Sequence, residues 1–193
     1  MILKNVLIIS ILFFAACNNI SNSEKTKVTA PAISNSDQEL MNNAYQNLLL
    51  STKMAEEALN RSTTPNAKDL AKSILNEHQQ MMSKIEVVAG RHSVILPMDI
   101  TPKQVKEWQS VVREKGIAFD KLYAQTVQDN HSINIRVFTL LRKANNQDLQ
   151  ALASNFISTS NQHIQQGTDL LQLLNSRKSR DTIAVIDDTS ENQ

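Results

Sequence analysis

Between Asp37 and Leu174, apolar residues return every three or four positions, the period of an α-helix with one buried face. A first helix is predicted from about Asp37 to Asn60, with Met41, Ala44, Tyr45, Leu48, Thr52, Ala55 and Leu59 on its stripe. Ser62-Thr63-Thr64-Pro65 ends it and supplies a cap and a helix-opening proline for the next. The second spans about Asn66 to Ala89, its stripe being Ala71, Ile74, Leu75, His78, Met81, Met82, Ile85 and Val88. A longer connection from Gly90 to Asp99 leads to Thr101-Pro102, a start signal for a short helix carrying Val105, Trp108 and Val112. After Gly116, a third long helix is predicted from about Ile117 to Ala144, with Ile117, Asp120, Ala124, Val127, His131, Ile135, Phe138 and Leu141 on one side. Asn145-Asn146 turns the chain into a fourth, Gln147 to Leu174, with Leu149, Leu152, Ala153, Phe156, Thr159, Ser160, His163, Leu170 and Leu174 in phase.

Four long helices of this kind are each roughly 33–42 Å in length at 1.5 Å per residue, and none can bury its stripe alone. Side by side they form an all-α, ferritin-like four-helix bundle over residues 37–175. The first pair and the last pair are joined by tight turns. The connection between the pairs is long enough to travel the length of the bundle and holds the short extra helix. That favours one long crossover over a plain up-down-up-down order.

The flanks differ from this pattern. Residues 18–36 are rich in Ser, Asn, Thr and Lys, have no apolar period, and read as a flexible tether. Residues 176–193 are polar and read as a disordered tail. At the start, Lys4 precedes the apolar run Ile8 to Ala16, and Cys17 follows it. A basic start, a short apolar core and small residues before a cut describe a secretory signal over residues 1–16. Phe14-Ala15-Ala16-Cys17 resembles the bacterial lipoprotein box, with Phe in place of the usual Leu. The resemblance implies acylation of Cys17, several chains being needed for stable anchoring. Asn18, not Asp, follows the cysteine; by the same resemblance the outer membrane, facing the periplasm, is the expected location.

Charge removes some partners. The chain has twenty basic and nineteen acidic residues, and loss of Lys4 with the signal makes it neutral. A neutral surface gives no electrostatic case for nucleic acid. Cys17 is the only cysteine, so no intrachain disulfide can staple the fold.

Three of the four histidines, His78, His131 and His163, fall near the middle of apolar stripes on three different helices. Mid-helix positions lie at similar heights whichever way each helix runs, so the three rings can meet in one layer. Three imidazoles can hold Zn, Cu or Fe with a position left open. Water, Glu56 or Met81/Met82 could complete such a site. The alternatives are a core layer satisfied by the hydroxyls of Thr52, Thr159 and Ser160, or a pocket for a small organic ligand. A di-iron carboxylate centre is disfavoured: the residues three before His78, His131 and His163 are Leu75, Gln128 and Ser160, so no Glu-x-x-His unit exists. Glu77 neighbours His78 but points about 100° away on the same helix. Asp120 lies too far along its helix from His131 to share a site, and it suits the free amides of the first turn. His92 reads as a solvated loop residue, Met41, Met54, Met81 and Met82 as core filler, and Trp108 as a lid.

Taken in order, Glu77-His78, Phe119-Asp120-x-x-Tyr123, His131 and Leu152-Ala153 to His163 resemble the bacterial envelope family called domain of unknown function 4142. The resemblance covers about residues 39–174. It implies an exported, ferritin-like domain and matches Glu77-His78, Phe119-Asp120, His131 and His163 to the family's pattern. The family's acidic residue in the middle of the first helix is replaced here by Leu48-Leu49-Leu50-Ser51-Thr52, with Glu56 and Glu57 the nearest acids. No catalytic motif stands out. The leading expectation is therefore a non-enzymatic, lipid-anchored envelope protein that binds a ligand or partner, a stress response being one setting. A metal-binding or redox module on the histidines, and a purely structural protein, are the alternatives.

Overall fold

The computed structural model describes residues 32–190, with side chains described as far as Ser176. The signal, Cys17 and most of the tether therefore lie outside the described residues. Five helices follow one another: α1 (Asn35–Arg61), α2 (Pro65–Arg91), α3 (Pro102–Arg113), α4 (Gly116–Leu141) and α5 (Gln147–Ser190). No strand occurs among the described residues.

Local chemistry sets the boundaries. Ser34 caps α1 by accepting from the Asp37 amide at 3.1 Å. Thr101 and Gln104 form a reciprocal capping box at the start of α3, with Pro102 in the first turn. Gly116 opens α4 at φ 58°, a left-handed conformation that suits glycine. Asn146 Oδ1 accepts from the Leu149 amide at 3.2 Å and starts α5. α5 then runs past Leu174, the last buried side chain among the described residues of its stripe, to Ser190. Nothing from Thr168 onward is Gly or Pro, so the sequence offers no breaker there.

Cross-helix contacts give the topology. Thr63 and Thr64, at the turn between α1 and α2, touch Asp120 near the start of α4. Further along, Asn130 on α4 reaches Met54 on α1. His92, at the end of α2, meets Asp148 at the start of α5. Phe138 and Phe156 pack edge to face across α4 and α5, 4.9 Å between ring centres. Every neighbouring pair of the four long helices is thus antiparallel, while α2 and α4 run the same way. The segment between them must travel the length of the bundle, and α3 lies on that path against α1 and α4. The predicted single long crossover is what the chain adopts.

The apolar core is in two parts. One holds Met41, Tyr45, Leu48, Ile85, Phe138, Leu149 and Phe156; the other holds Met54, Leu70, Ile74, Phe119, Tyr123, Val127, Leu170 and Leu174. Between them lie His78, His131, Asn134, Ser160 and His163, all fully buried. The second half of α1 departs from the predicted phase. Leu50, Ser51, Met54 and Ala58 turn inward, and Thr52 and Leu59 are only half-buried.

Candidate metal centre

α2, α4 and α5 each bring one imidazole to the bundle axis. His131 Nε2 is the hub, 3.1 Å from His78 Nε2 and 2.9 Å from His163 Nδ1. One nitrogen from each ring can be chosen so that all three lie within 4.8 Å of one another. A metal bound at 2.0–2.1 Å to each imidazole in a tetrahedron sets its nitrogens about 3.3 Å apart. Two of the three separations are already close to that value, and the third lies within 4.8 Å.

The outer nitrogens matter as much. His131 Nδ1 lies 2.7 Å from the Val127 carbonyl, so it carries the proton and leaves Nε2 as a lone pair. His163 Nε2 lies 3.2 Å from Glu77 Oε2, an off-axis approach that nonetheless favours a proton on that nitrogen. With protons on those two outer atoms, the inner nitrogens of His131 and His163 face each other as lone pairs. A cation between them resolves that conflict. A carbonyl or carboxylate behind a ligating histidine is also the usual way a ring is oriented toward a metal.

Burial keeps the rings neutral, the state in which imidazole binds metal. The pKa of His131 is pushed down to about 3, first by burial and then by His163, against the pull of the Val127 carbonyl. Burial lowers His163 to about 4. His78 is held well below the ordinary imidazole value by burial, then by His131 and His163, with the Leu48 carbonyl opposing.

The hydroxyl-satisfied layer expected as an alternative does not form. Thr52 Oγ1 turns to Met82 Sδ at 4.0 Å, Thr159 Oγ1 to the Asn155 carbonyl at 3.5 Å, and Ser160 Oγ has no partner. The rings meet one another instead.

Other candidate residues fall elsewhere. Glu56 is exposed and lines a surface cleft with Lys53, Asp99 and Trp108, so it is not placed to complete the site. Asp120 is fully buried but serves the neighbouring helix, not its own. Its carboxylate accepts from the backbone and hydroxyl of both Thr63 and Thr64, at 2.9–3.3 Å. Thr64 makes no side-chain cap of its own, and Asp120 stands in as the cap of α2. Glu77 corrects the single-helix argument: it cannot face the axis beside His78, yet it reaches the ring of His163 on α5. His92 is not solvated. Its side chain is only 6% exposed and pairs with Asp148 Oδ2 at 3.1 Å. Trp108 is half-buried against the second core cluster, as a lid would be. Asn134 is fully buried beside the histidines and lies outside the sequence-predicted site; its position three residues after His131 is the signal that marks it.

Residues 22–170 match the family described as "Domain of unknown function (DUF4142)". The chain belongs to that family. No curated protein matches it. Among solved structures, a DUF305 fragment from Deinococcus radiodurans is similar in fold, with a TM-score of 0.67 and 15% sequence identity. The likeness covers 74% of this chain and 99% of that one. For this DUF4142 member, the likeness speaks to the helical architecture alone.

Proposed function

We propose that this DUF4142 domain is a transition-metal-binding module whose ligands are His78, His131 and His163. One observation carries the reading: three neutral imidazoles from three helices converge nitrogen to nitrogen at 2.9 and 3.1 Å, with no hydroxyl to satisfy them. An all-imidazole set suits Zn, Cu or Fe. Glu77 and the Val127 carbonyl orient two of the rings from behind. No Glu-x-x-His unit is present, so a mononuclear centre fits better than a di-iron one. A metal held by three histidines keeps a position open for a further ligand and acts there as a Lewis acid.

The module is carried, in this reading, on an exported lipoprotein anchored at Cys17 and facing the periplasm. The residue order at Lys4, Ile8 to Ala16 and Cys17 supports this. No helix among the described residues is long and apolar enough to cross a membrane, which is compatible with it. Binding, rather than turnover, is the proposed role.

Metal analysis of protein purified without a histidine tag tests the centre. About one metal per chain, lost in His131→Ala, is expected. No bound metal, together with no thermal shift on adding Zn, Cu, Fe or Mn, would refute it. For the anchor, labelling with a palmitate analogue is expected in the native sequence and not in Cys17→Ala.

A further inference from the structure

The histidine layer has two unlike sides. Toward the start of α4 it is closed. A Cβ on Gly167 would sit 3.1 Å from the Ala124 carbonyl and 3.5 Å from Val127 Cγ1, so α4 and α5 are in close contact there. Toward the other end, the level next to the rings carries the buried side chains of Asn134 and Ser160. His131 meets His163, and two turns further on Phe138 meets Phe156. Because α4 and α5 are antiparallel, Asn134 and Ser160 share the level between those two pairs, about 4.5 Å of rise from the imidazoles. The register that brings Asn130 to Met54 puts Ser51 of α1 near the same level.

These polar groups are anomalous. Asn134 is fully buried, and neither its Oδ1 nor its Nδ2 has a partner in the protein. Ser160 is fully buried with Oγ unpartnered, and the same atom of buried Ser51 is unpartnered too. Buried amides and hydroxyls are nearly always hydrogen-bonded, because leaving them bare costs stability. Three unsatisfied side chains at one level, next to three metal-binding rings, need a common explanation.

We infer that Asn134, Ser160 and Ser51 form the binding site for a small oxygen-containing ligand at the open position of the metal. The inference rests on the metal reading above. Asn134 offers a donor pair and an acceptor, and each serine offers both roles. Together they fit a molecule that donates and accepts at once: water, hydroxide or hydrogen peroxide. An apolar gas would leave them as unsatisfied as before.

The test loads the full chain with Co(II) and titrates azide, a small anion that reports on an open metal position through the visible spectrum. Native protein is expected to hold about one Co(II) and to respond to azide. Asn134→Leu and Ser160→Ala are expected to keep the metal and weaken azide binding, by tenfold or more for Asn134→Leu. Without metal, Asn134→Leu is expected to melt at or above the native temperature, since it removes an unsatisfied amide. A Co(II) protein indifferent to azide, or azide affinity in both Ser160→Ala and Asn134→Leu equal to that of the native protein, overturns this inference and leaves the metal reading standing. A much lower melting temperature for Asn134→Leu would make Asn134 a structural residue and also overturn it. Failure of the native chain to bind Co(II) or any other metal overturns both.

Discussion

Acid should unfold this domain through its three buried imidazoles, before most carboxylates begin to titrate. In the folded chain, burial holds His131 near a pKa of about 3 and His163 near about 4, against 6.5 for a free imidazole. The folded values lie below the unfolded one, so between pH 7 and 4 the unfolded chain binds more protons. Stability is therefore complete above about pH 7 and is lost as pH falls toward the folded values. Each such ring removes about 1.4 kcal/mol per pH unit once the unfolded form is protonated. From pH 7.5 to 5.0 that amounts to about 2 kcal/mol per ring, and about 4 kcal/mol for His131 and His163 together. His78 shifts in the same direction and adds to the loss. Against a usual domain stability of about 5–15 kcal/mol, this is a large fraction. Urea unfolding followed by far-UV circular dichroism, with a chelator present, measures it directly. Below about pH 5 the carboxylates join in, so the window from 7.5 to 5.0 isolates the histidines. A fall of less than about 1 kcal/mol across that window would refute the argument that the rings are buried and neutral.

Other outcomes follow from single contacts. Glu77→Gln should leave the fold intact and weaken metal binding by about 10- to 100-fold, measured by competition with a chromophoric chelator, because the ring of His163 loses its carboxylate. Asp120→Ala should cost about 2–4 kcal/mol in urea unfolding without lowering metal content, since it strips the cap of α2 and strands the Thr63 and Thr64 amides. Gly167→Ala should destabilise by about 1 kcal/mol despite the better helix propensity of alanine, because its Cβ would press on the backbone carbonyl of Ala124. A stabilised Gly167→Ala would show that α4 and α5 can move apart freely.

The meeting of His78, His131 and His163 could be read from the chain because it depends only on height. All three lie mid-stripe, and height along a helix is a matter of counting. What depends on the rotation of one helix against another could not be read. Glu77 looked excluded because its own helix turns it from His78, whereas its partner is the ring of His163 on α5. Asp120 looked like a first-turn carboxylate of α4, and only the packed turn between α1 and α2 shows which amides it serves. The phase of α1 slips by a residue after Leu48, so Ser51 and Met54 face inward where Thr52 was expected. Asn134 is hard to recognise because asparagines mostly lie on the surface, although this one sits between His131 and Phe138 on the buried face. The long crossover was legible from connection length, since the turns at Ser62–Thr64 and at Asn145-Asn146 are tight while the segment between the pairs is long enough to travel the length of the bundle.

The histidine triad has its members in both halves of the fold. His78 belongs to the hairpin of α1 and α2, while His131 and His163 belong to that of α4 and α5. An ion gripped by all three rivets one hairpin to the other, whatever happens to the strap of chain between them. A protease nick near Met98, which is almost wholly solvent-exposed, would leave two fragments joined by the apolar packing between the hairpins, and a bound metal would tighten their association. A metal bound there would thus act as a removable cross-link between two halves of the fold.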